Sequence, residues 1–235
     1  MVNGLPVCKS RELNLKIGHK TKQMKLRLPS IFAFIFIANV VFAQSTWTFK
    51  TESAGIKVYV DKQSPLKVKP IKVEGVLNAA PQQIAAVLMD IKNYPDWVYK
   101  MKSASVVKQV SATDLFYYAV IDMPWPTQNR DFAAHITAAQ DPATKVITVD
   151  APSVADLVPQ KDDLVRVKKS TGKWILVPDG TRQTKVTYYL ILEPDGGAPA
   201  WIINLFVSDG PMQSFKKLKE QVQKAEYRNA GGLFR

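Results

Sequence analysis

The stretch 123–132, Met-Pro-Trp-Pro-Thr-Gln-Asn-Arg-Asp-Phe, limits the fold more than any other part of the chain. Pro124 and Pro126 each lack a backbone donor, so the segment around Trp125 cannot sit inside a central strand. Its flanks are strand-like: Leu115, Phe116, Tyr117, Tyr118, Val120 and Ile121 come before, and residues 132–137 follow. A turn between two strands satisfies both facts. Arg130 and Asp131 stand side by side at the mouth of the second strand. Their opposite charges either clasp the turn into shape or address a polar ligand group, and the clasp is the main expectation.

The first 43 residues are unlike the remainder. Residues 1–23 are basic and polar, without apolar periodicity, and read as an upstream extension ahead of Met24. From Met24, Lys25 and Arg27 lead into the apolar run 28–42, and Val41-Phe42-Ala43 closes it. A basic start, a short apolar core and a small residue at the end describe a secretory signal peptide, assigned here to 24–43. The run holds Pro29 and Asn39 and falls short of the about 20 residues that span a bilayer, so an uncleaved membrane anchor is the alternative. Export to the periplasm or the exterior is therefore expected for one domain at 44–235.

Cys8, the one cysteine, lies upstream of that domain, which must be held by its own core and not by a disulfide. Half of the chain's net charge of +12 sits in residues 1–43. What remains is spread thinly. It suits contact with an anionic membrane surface and argues against nucleic acid as a partner.

Along the domain, residues 47–51 and 55–60 read as two strands joined by a turn at Ser53-Ala54-Gly55. Ile71, Val73, Gly75 and Leu77 alternate with Lys72, Glu74 and Val76, a strand with one wet face. Asn78 or the residues just after it cap a helix that carries Pro81 in its first turn and Ile84, Val87, Leu88 and Ile91 on one face. Tyr94-Pro95-Asp96-Trp97 follows as a turn or short helix. Strands are expected near 104–109, 115–123, 132–139 and 146–151, then a long pair at 164–177 and 183–193. In the last of these Val186, Tyr188, Leu190 and Leu192 share a face. Helices at 199–206 and 211–227 close the chain, with a hinge or a plain helix start at Gly210-Pro211.

These signals, in this order, resemble the START family, the lipid-transfer domains related to steroidogenic acute regulatory protein. The similarity rests on Gly55-Ile56-x-Val58-Tyr59, Tyr94-Pro95-x-Trp97 and Pro124-x-Pro126-x-x-Asn129-Arg130-Asp131-Phe132. It continues through Arg166, Gly172-x-Trp174-x-Leu176-x-Pro178 and Thr184-x-Val186-x-Tyr188, and ends on Asp195-Gly196-Gly197-x-Pro199-x-Trp201-x-x-Asn204. It implies an α+β helix-grip fold, a curved antiparallel sheet around a long C-terminal helix with a cavity between them. It also implies one hydrophobic ligand, a lipid or similar small molecule, exchanged at a membrane surface. Some relatives hold a buried arginine–acid pair in the cavity, and segments 116–118 and 133–136 offer no clear counterpart. A mostly apolar pocket with tyrosine hydroxyls or His135 is expected instead.

Ligand contacts are assigned on this basis to Trp97, Tyr118, Met123, Trp125, Arg130, Arg166, Tyr188, Trp201 and Leu205. Trp97, Trp125 and Trp201 are equally read as core or loop anchors, and Trp125 also as an anchor at a membrane interface. Arg166, placed midway down a long strand, is either an ion-pair partner or a head-group contact. The alternatives are a polyketide cyclase or aromatase-like enzyme on the same fold, with His135 as its acid or base, and a non-catalytic interaction module. By strand alternation His135 falls opposite the apolar set Phe132, Ala134 and Ile136. A metal site needs clustered His, Cys, Asp or Glu. The domain has one His and no Cys, Asp162-Asp163 reads as a solvated loop, and no phosphate-cradling glycine loop is seen, so no catalytic residue, cofactor or metal is assigned.

Overall fold

A computed structural model of the chain describes residues 46–193, 209–228 and 232–234. Trp201 and Leu205, with the helix expected at 199–206, lie outside the described residues. So do the segments 1–23 and 24–43.

Among the described residues ten strands form one sheet. They are β1 (Trp47–Ser53), β2 (Ile56–Asp61), β3 (Ile71–Leu77), β4 (Met101–Ser111), β5 (Asp114–Ile121), β6 (Arg130–Gln140), β7 (Ile147–Pro152), β8 (Val165–Arg166), β9 (Lys169–Pro178) and β10 (Thr184–Glu193). The order across the sheet is β1-β2-β3-β10-β9-β7-β6-β5-β4, antiparallel at every step, with β8 off this path against β6. Among the described residues three α-helices accompany it: α1 (Pro81–Met89), α2 (Tyr94–Trp97) and α3 (Gly210–Gln221).

The local chemistry of each piece is simple. Ala54 and Gly55 take positive φ between β1 and β2, at the turn expected there. Helix α1 starts with Pro81 in its first turn and buries Ile84, Ala85, Val87 and Leu88. Its N-cap is Ala80, which offers no side-chain acceptor. Asn78 does not cap it, because its side-chain oxygen accepts from Gln183 Nε2 at 3.0 Å. Pro211 likewise sits in the first turn of α3; Asp209 ahead of it already has helical dihedrals, and the residues before it, on which the choice between hinge and helix start depends, lie outside the described residues. The helix expected to reach 227 ends at Gln221, and a single 3₁₀ turn at Ala225–Tyr227 follows.

One expected strand divides. Val165 and Arg166 leave the line of β9 and pair parallel with Arg130 and Asp131 of β6. Arg166 therefore belongs to a two-residue strand and not to the middle of a long one. Backbone bonds fix this crossing: Val165 N–H donates to Asn129 O at 3.0 Å and Val167 N–H to Asp131 O at 2.8 Å.

The core lies between the inner sheet face and the helices. Ile56, Val58, Ile71, Val73, Leu77 and Val186 from the strands meet Ile84, Val87 and Leu88 of α1 and Phe215, Leu218 and Val222 at the chain's end. Gly75 lies against α3, where a Cβ would stand 3.7 Å from Phe215 Cδ1, an ordinary contact.

Candidate functional site

The strands supply alternate side chains to a cavity under α3. Tyr117 and Ile121 reach it from β5, Phe132 from β6, Ala151 from β7, Gly172 and Trp174 from β9, and Tyr188, Leu190 and Leu192 from β10. Tyr94 and Trp97 of α2 and Gly210, Pro211, Ser214 and Phe215 of α3 close it from the helical side. Its volume is about 180 Å³, and no charged residue is among the described residues of its wall.

Aromatic rings make most of that wall. Trp174 stacks on Tyr188 with centroids 4.1 Å apart and on Phe215 at 5.3 Å. Trp97 meets Trp174 edge-on at 6.3 Å, and Tyr94 meets Tyr117 at 5.7 Å. Tyr94 is pinned by its hydroxyl, which donates to Leu88 O at 2.6 Å. Burial pushes the phenols of Tyr117 and Tyr188 up, and Tyr117 is raised further by its neighbour Tyr188, so both remain uncharged donors.

Two of the residues assigned from sequence, Trp97 and Tyr188, are brought together on this wall. Of the other assigned residues that are described, Tyr118, Met123, Trp125, Arg130 and Arg166 do not line it. Tyr118 points to the opposite face of β5 from Tyr117, and its hydroxyl donates to Asp131 Oδ2 at 2.9 Å. Arg166 is on that outer face too. Its Nε and Nη2 each lie 2.9 Å from a carboxylate oxygen of Asp131. Its remaining donors go to the carbonyls of Ala155, Val158 and Pro159. Arg166 is thus the ion-pair partner of Asp131, and the carboxylate is clasped by it and not by the adjacent Arg130. Arg130 is buried and is not among the residues that line the cavity.

Met123 is buried beside the turn, where its N–H donates to Asn129 Oδ1 at 2.8 Å. Trp125 lies at the tip of that turn and is 92 % exposed. Thr127 tightens the turn by donating its N–H and hydroxyl to Pro124 O. The loop joins Ile121 to Phe132, both on the cavity wall, and so borders it. His135 stacks on Phe116 at 4.1 Å, lies 2.7 Å from Asp114 Oδ1, and does not reach the cavity.

Sequence reading missed Tyr94, Tyr117 and Trp174 as wall residues. Trp174 and Tyr188 stand directly opposite in the β9–β10 register, and that pairing was the signal that places Trp174 inside. Among the described residues no cluster of His, Cys, Asp or Glu is arranged to hold a metal ion, and no helix is long and apolar enough to cross a membrane.

Comparison with known proteins agrees with this geometry. The family model described as START domain matches residues 35–228. An uncharacterized protein of Pseudomonas aeruginosa is 31% identical over 200 residues, covering 85% of this chain and 98% of that protein. The phosphatidylcholine transfer protein of Bos taurus is 30% identical over 186 residues, 76% of this chain and 85% of that one. A crystal structure of a STAR-related lipid transfer protein fragment from Xanthomonas axonopodis superimposes with a TM-score of 0.70 at 29% identity, covering 77% of this chain and all of that fragment. A curved antiparallel sheet, a C-terminal helix across it and an aromatic-walled cavity between them accompany these matches, and the chain belongs to the START domain family.

Proposed function

We propose that this protein binds a single lipid or other hydrophobic small molecule in the cavity under α3 and exchanges it at membrane surfaces after export. The observation that carries the proposal is a wall of aromatic and aliphatic side chains without a described charge. Each methylene moved from water into such a site is worth about 0.8 kcal/mol, so a hydrocarbon chain needs little polar help to be held. The names of the bovine and Xanthomonas relatives, both for lipid transfer, support the same reading.

The cavity of about 180 Å³ is close to the ~150 Å³ that admits benzene in an engineered core, and below the ~300–1,000 Å³ of a drug-sized site. A long-chain ligand therefore enters by parting the walls, and the N-terminal end of α3 is the wall that yields. Among the described residues that end is tied to the body by Tyr99 N–H, which donates to Ser214 Oγ at 3.0 Å. The far end is fastened to the body by Gln83, Lys219, Gln223 and Lys224. Exposed Trp125 on the bordering loop is the membrane contact, with one edge suited to acyl chains and the other to water. Export rests on the basic and apolar pattern of residues 24–43.

A carrier is favoured over a cyclase because His135, the one imidazole of the domain, is turned away from the cavity and engaged with Asp114. Native mass spectrometry after gentle extraction is expected to show one co-purifying lipid, and labelled lipid is expected to move between vesicles in the presence of the protein. A chain that arrives empty and takes up no lipid from vesicles overturns the reading.

A further inference from the structure

The two edge strands of the sheet differ in charge. β1 carries both signs, in Lys50 and Glu52. β4, at the opposite edge, carries one. The stretch 100–111 that contains it holds Lys100, Lys102 and Lys108 and no acidic residue. The acids that bracket it are already engaged, Asp96 with Lys224 and Asp114 with His135. Among the described residues none of the three lysines forms an ion pair, and Lys108 lies over the ring of Phe116 at 5.8 Å.

The same edge is apolar and open. β4 pairs with β5 on one side, and among the described residues no strand pairs with its other side. Every residue from Ser105 to Ser111 is exposed, Val106, Val107 and Val110 among them. The register with β5 is regular from Ser103 to Val106, then shifts between Val106 and Lys108 and again between Gln109 and Ser111. Bulges of this kind re-aim side chains, and here they leave the neighbours Val106 and Val107 both in the open. An unpaired edge presents backbone donors and acceptors that an extended chain can complete, while the side chains around it select which chain.

We propose that β4 is the docking edge for an extended acidic segment of another protein, which adds to the sheet as one more strand beside residues 103–110. Its backbone pairs with β4, its apolar side chains rest on Val106, Val107 and Val110, and its carboxylates sit beside Lys102 and Lys108. Charge selects this occupant. A second copy paired antiparallel along the same edge would line up the lysines of both strands with no carboxylate between them, and like charges across a strand pair are destabilising. Lysines on an edge ordinarily keep other edges away, and an acidic strand is the one they admit. An anionic membrane would meet the lysines but leave the backbone groups of the edge unpaired. The docking edge adjoins the cavity: Met101, the first residue of β4, lines it, and the N–H of Tyr99 just ahead donates to Ser214 of α3.

The full chain should be titrated with a short peptide in which valine alternates with glutamate and threonine, with the same peptide carrying lysine for glutamate, and with the acidic peptide methylated at alternate backbone nitrogens. Affinity is read from the anisotropy of the labelled peptide, and the place of contact from amide hydrogen exchange. The acidic peptide is expected to bind about tenfold more tightly than either of the others, and to slow exchange over 103–110 but not over β1. Lys102→Glu with Lys108→Glu, both at exposed positions, is expected to reverse the order of the acidic and lysine peptides, which a loss of folding cannot do. No binding of the acidic peptide, equal affinity for all three, an order that the charge reversal leaves unchanged, or protection that falls on β1 overturns the proposal. So does protection of β4 by phosphatidylglycerol vesicles in place of the peptide, which assigns the edge to a membrane. Self-association of the chain that protects β4 without any peptide overturns it too, in favour of a second copy.

Discussion

The guanidinium of Arg166 meets both carboxylate oxygens of Asp131 at 2.9 Å, joining residues 35 apart in sequence, and Tyr118 adds a third bond to the same carboxylate. Asp131 is fully buried and Arg166 nearly so. The pair pins segment 155–159 and β8 against β6, and so fixes the strand that delivers Phe132 to the cavity. Removing one partner leaves a buried charge uncompensated, which costs about 3–5 kcal/mol. Arg166→Met is therefore expected to lower the urea midpoint sharply, and Asp131→Leu with Arg166→Met to recover most of the loss. A double variant no more stable than the single one would show that the network's remaining bonds, and not the pair, carry the effect.

The same carboxylate sets an acid limit. Burial alone would raise its pKa, but the hydrogen bonds from Arg166 and Tyr118 and the nearby positive charge outweigh that and hold it below the ordinary 3.8. A group whose folded pKa is depressed contributes stability that is present above its unfolded value and is lost as pH falls through the folded one. Unfolding free energy is thus expected to be steady near neutrality and to drop below about pH 4. Asp131→Asn starts lower at neutral pH and falls less steeply below pH 4. An equal acid slope in wild type and variant would locate the acid sensitivity elsewhere.

Strand alternation made much of this sheet readable from sequence, because Val186, Tyr188, Leu190 and Leu192 share a face whichever partner they find. It failed on β5. There Leu115, Tyr117 and Ala119 alternate with Phe116, Tyr118 and Val120, and both sets are apolar or aromatic, so nothing local says which faces inward. The local pattern thus points to Tyr118 as readily as to Tyr117, and it is Tyr117 that lines the wall. The Asp131–Arg166 pair was hidden for another reason. It depends on a parallel crossing of β8 onto β6, and a two-residue strand leaves no periodic trace in sequence. The neighbouring Arg130 offered a nearer but mistaken partner.

Gly172 gives access to the cavity by a single substitution. A Cβ there would lie 3.5 Å from Cε2 and the hydroxyl of Tyr188, which is ordinary contact. Gly172→Ala is expected to fold normally, with stability shifted by no more than about 1 kcal/mol. Gly172→Leu has further atoms to place, and the space beside them is the cavity. It is expected to reduce lipid uptake at least tenfold for a stability cost of about 1–3 kcal/mol. Unchanged uptake with an unchanged thermal midpoint would mean that the ligand does not use the part of the cavity next to β9.

Trp125 separates membrane contact from ligand binding. At 92 % exposure it contributes little to the fold, so Trp125→Ser should leave stability within about 0.5 kcal/mol of wild type. Its loss is expected to slow vesicle-to-vesicle lipid transfer severalfold while leaving the amount of lipid carried per protein unchanged. With Trp125 present, mixing with vesicles is expected to shift tryptophan emission to the blue, and the serine variant should lose that shift. A transfer rate indifferent to the substitution removes this loop from the membrane step.

Tyr227 tests whether α3 moves about its far end. The phenol donates to Asp90 Oδ2 at 2.9 Å and accepts from Asn93 Nδ2 and from Gln221 Nε2, each at 3.2 Å. It thereby ties the last turn of the helix to the segment after α1. Gln221 is buried, so Tyr227→Phe strands its amide and is expected to cost about 1–3 kcal/mol. If α3 is the yielding wall, that cost is local: hydrogen exchange should quicken across 210–221 ahead of β9 and β10, and ligand release should quicken with it although no cavity residue has changed. Exchange that rises evenly over helix and sheet would instead make α3 one cooperative unit with the sheet, and the ligand would then need another way out.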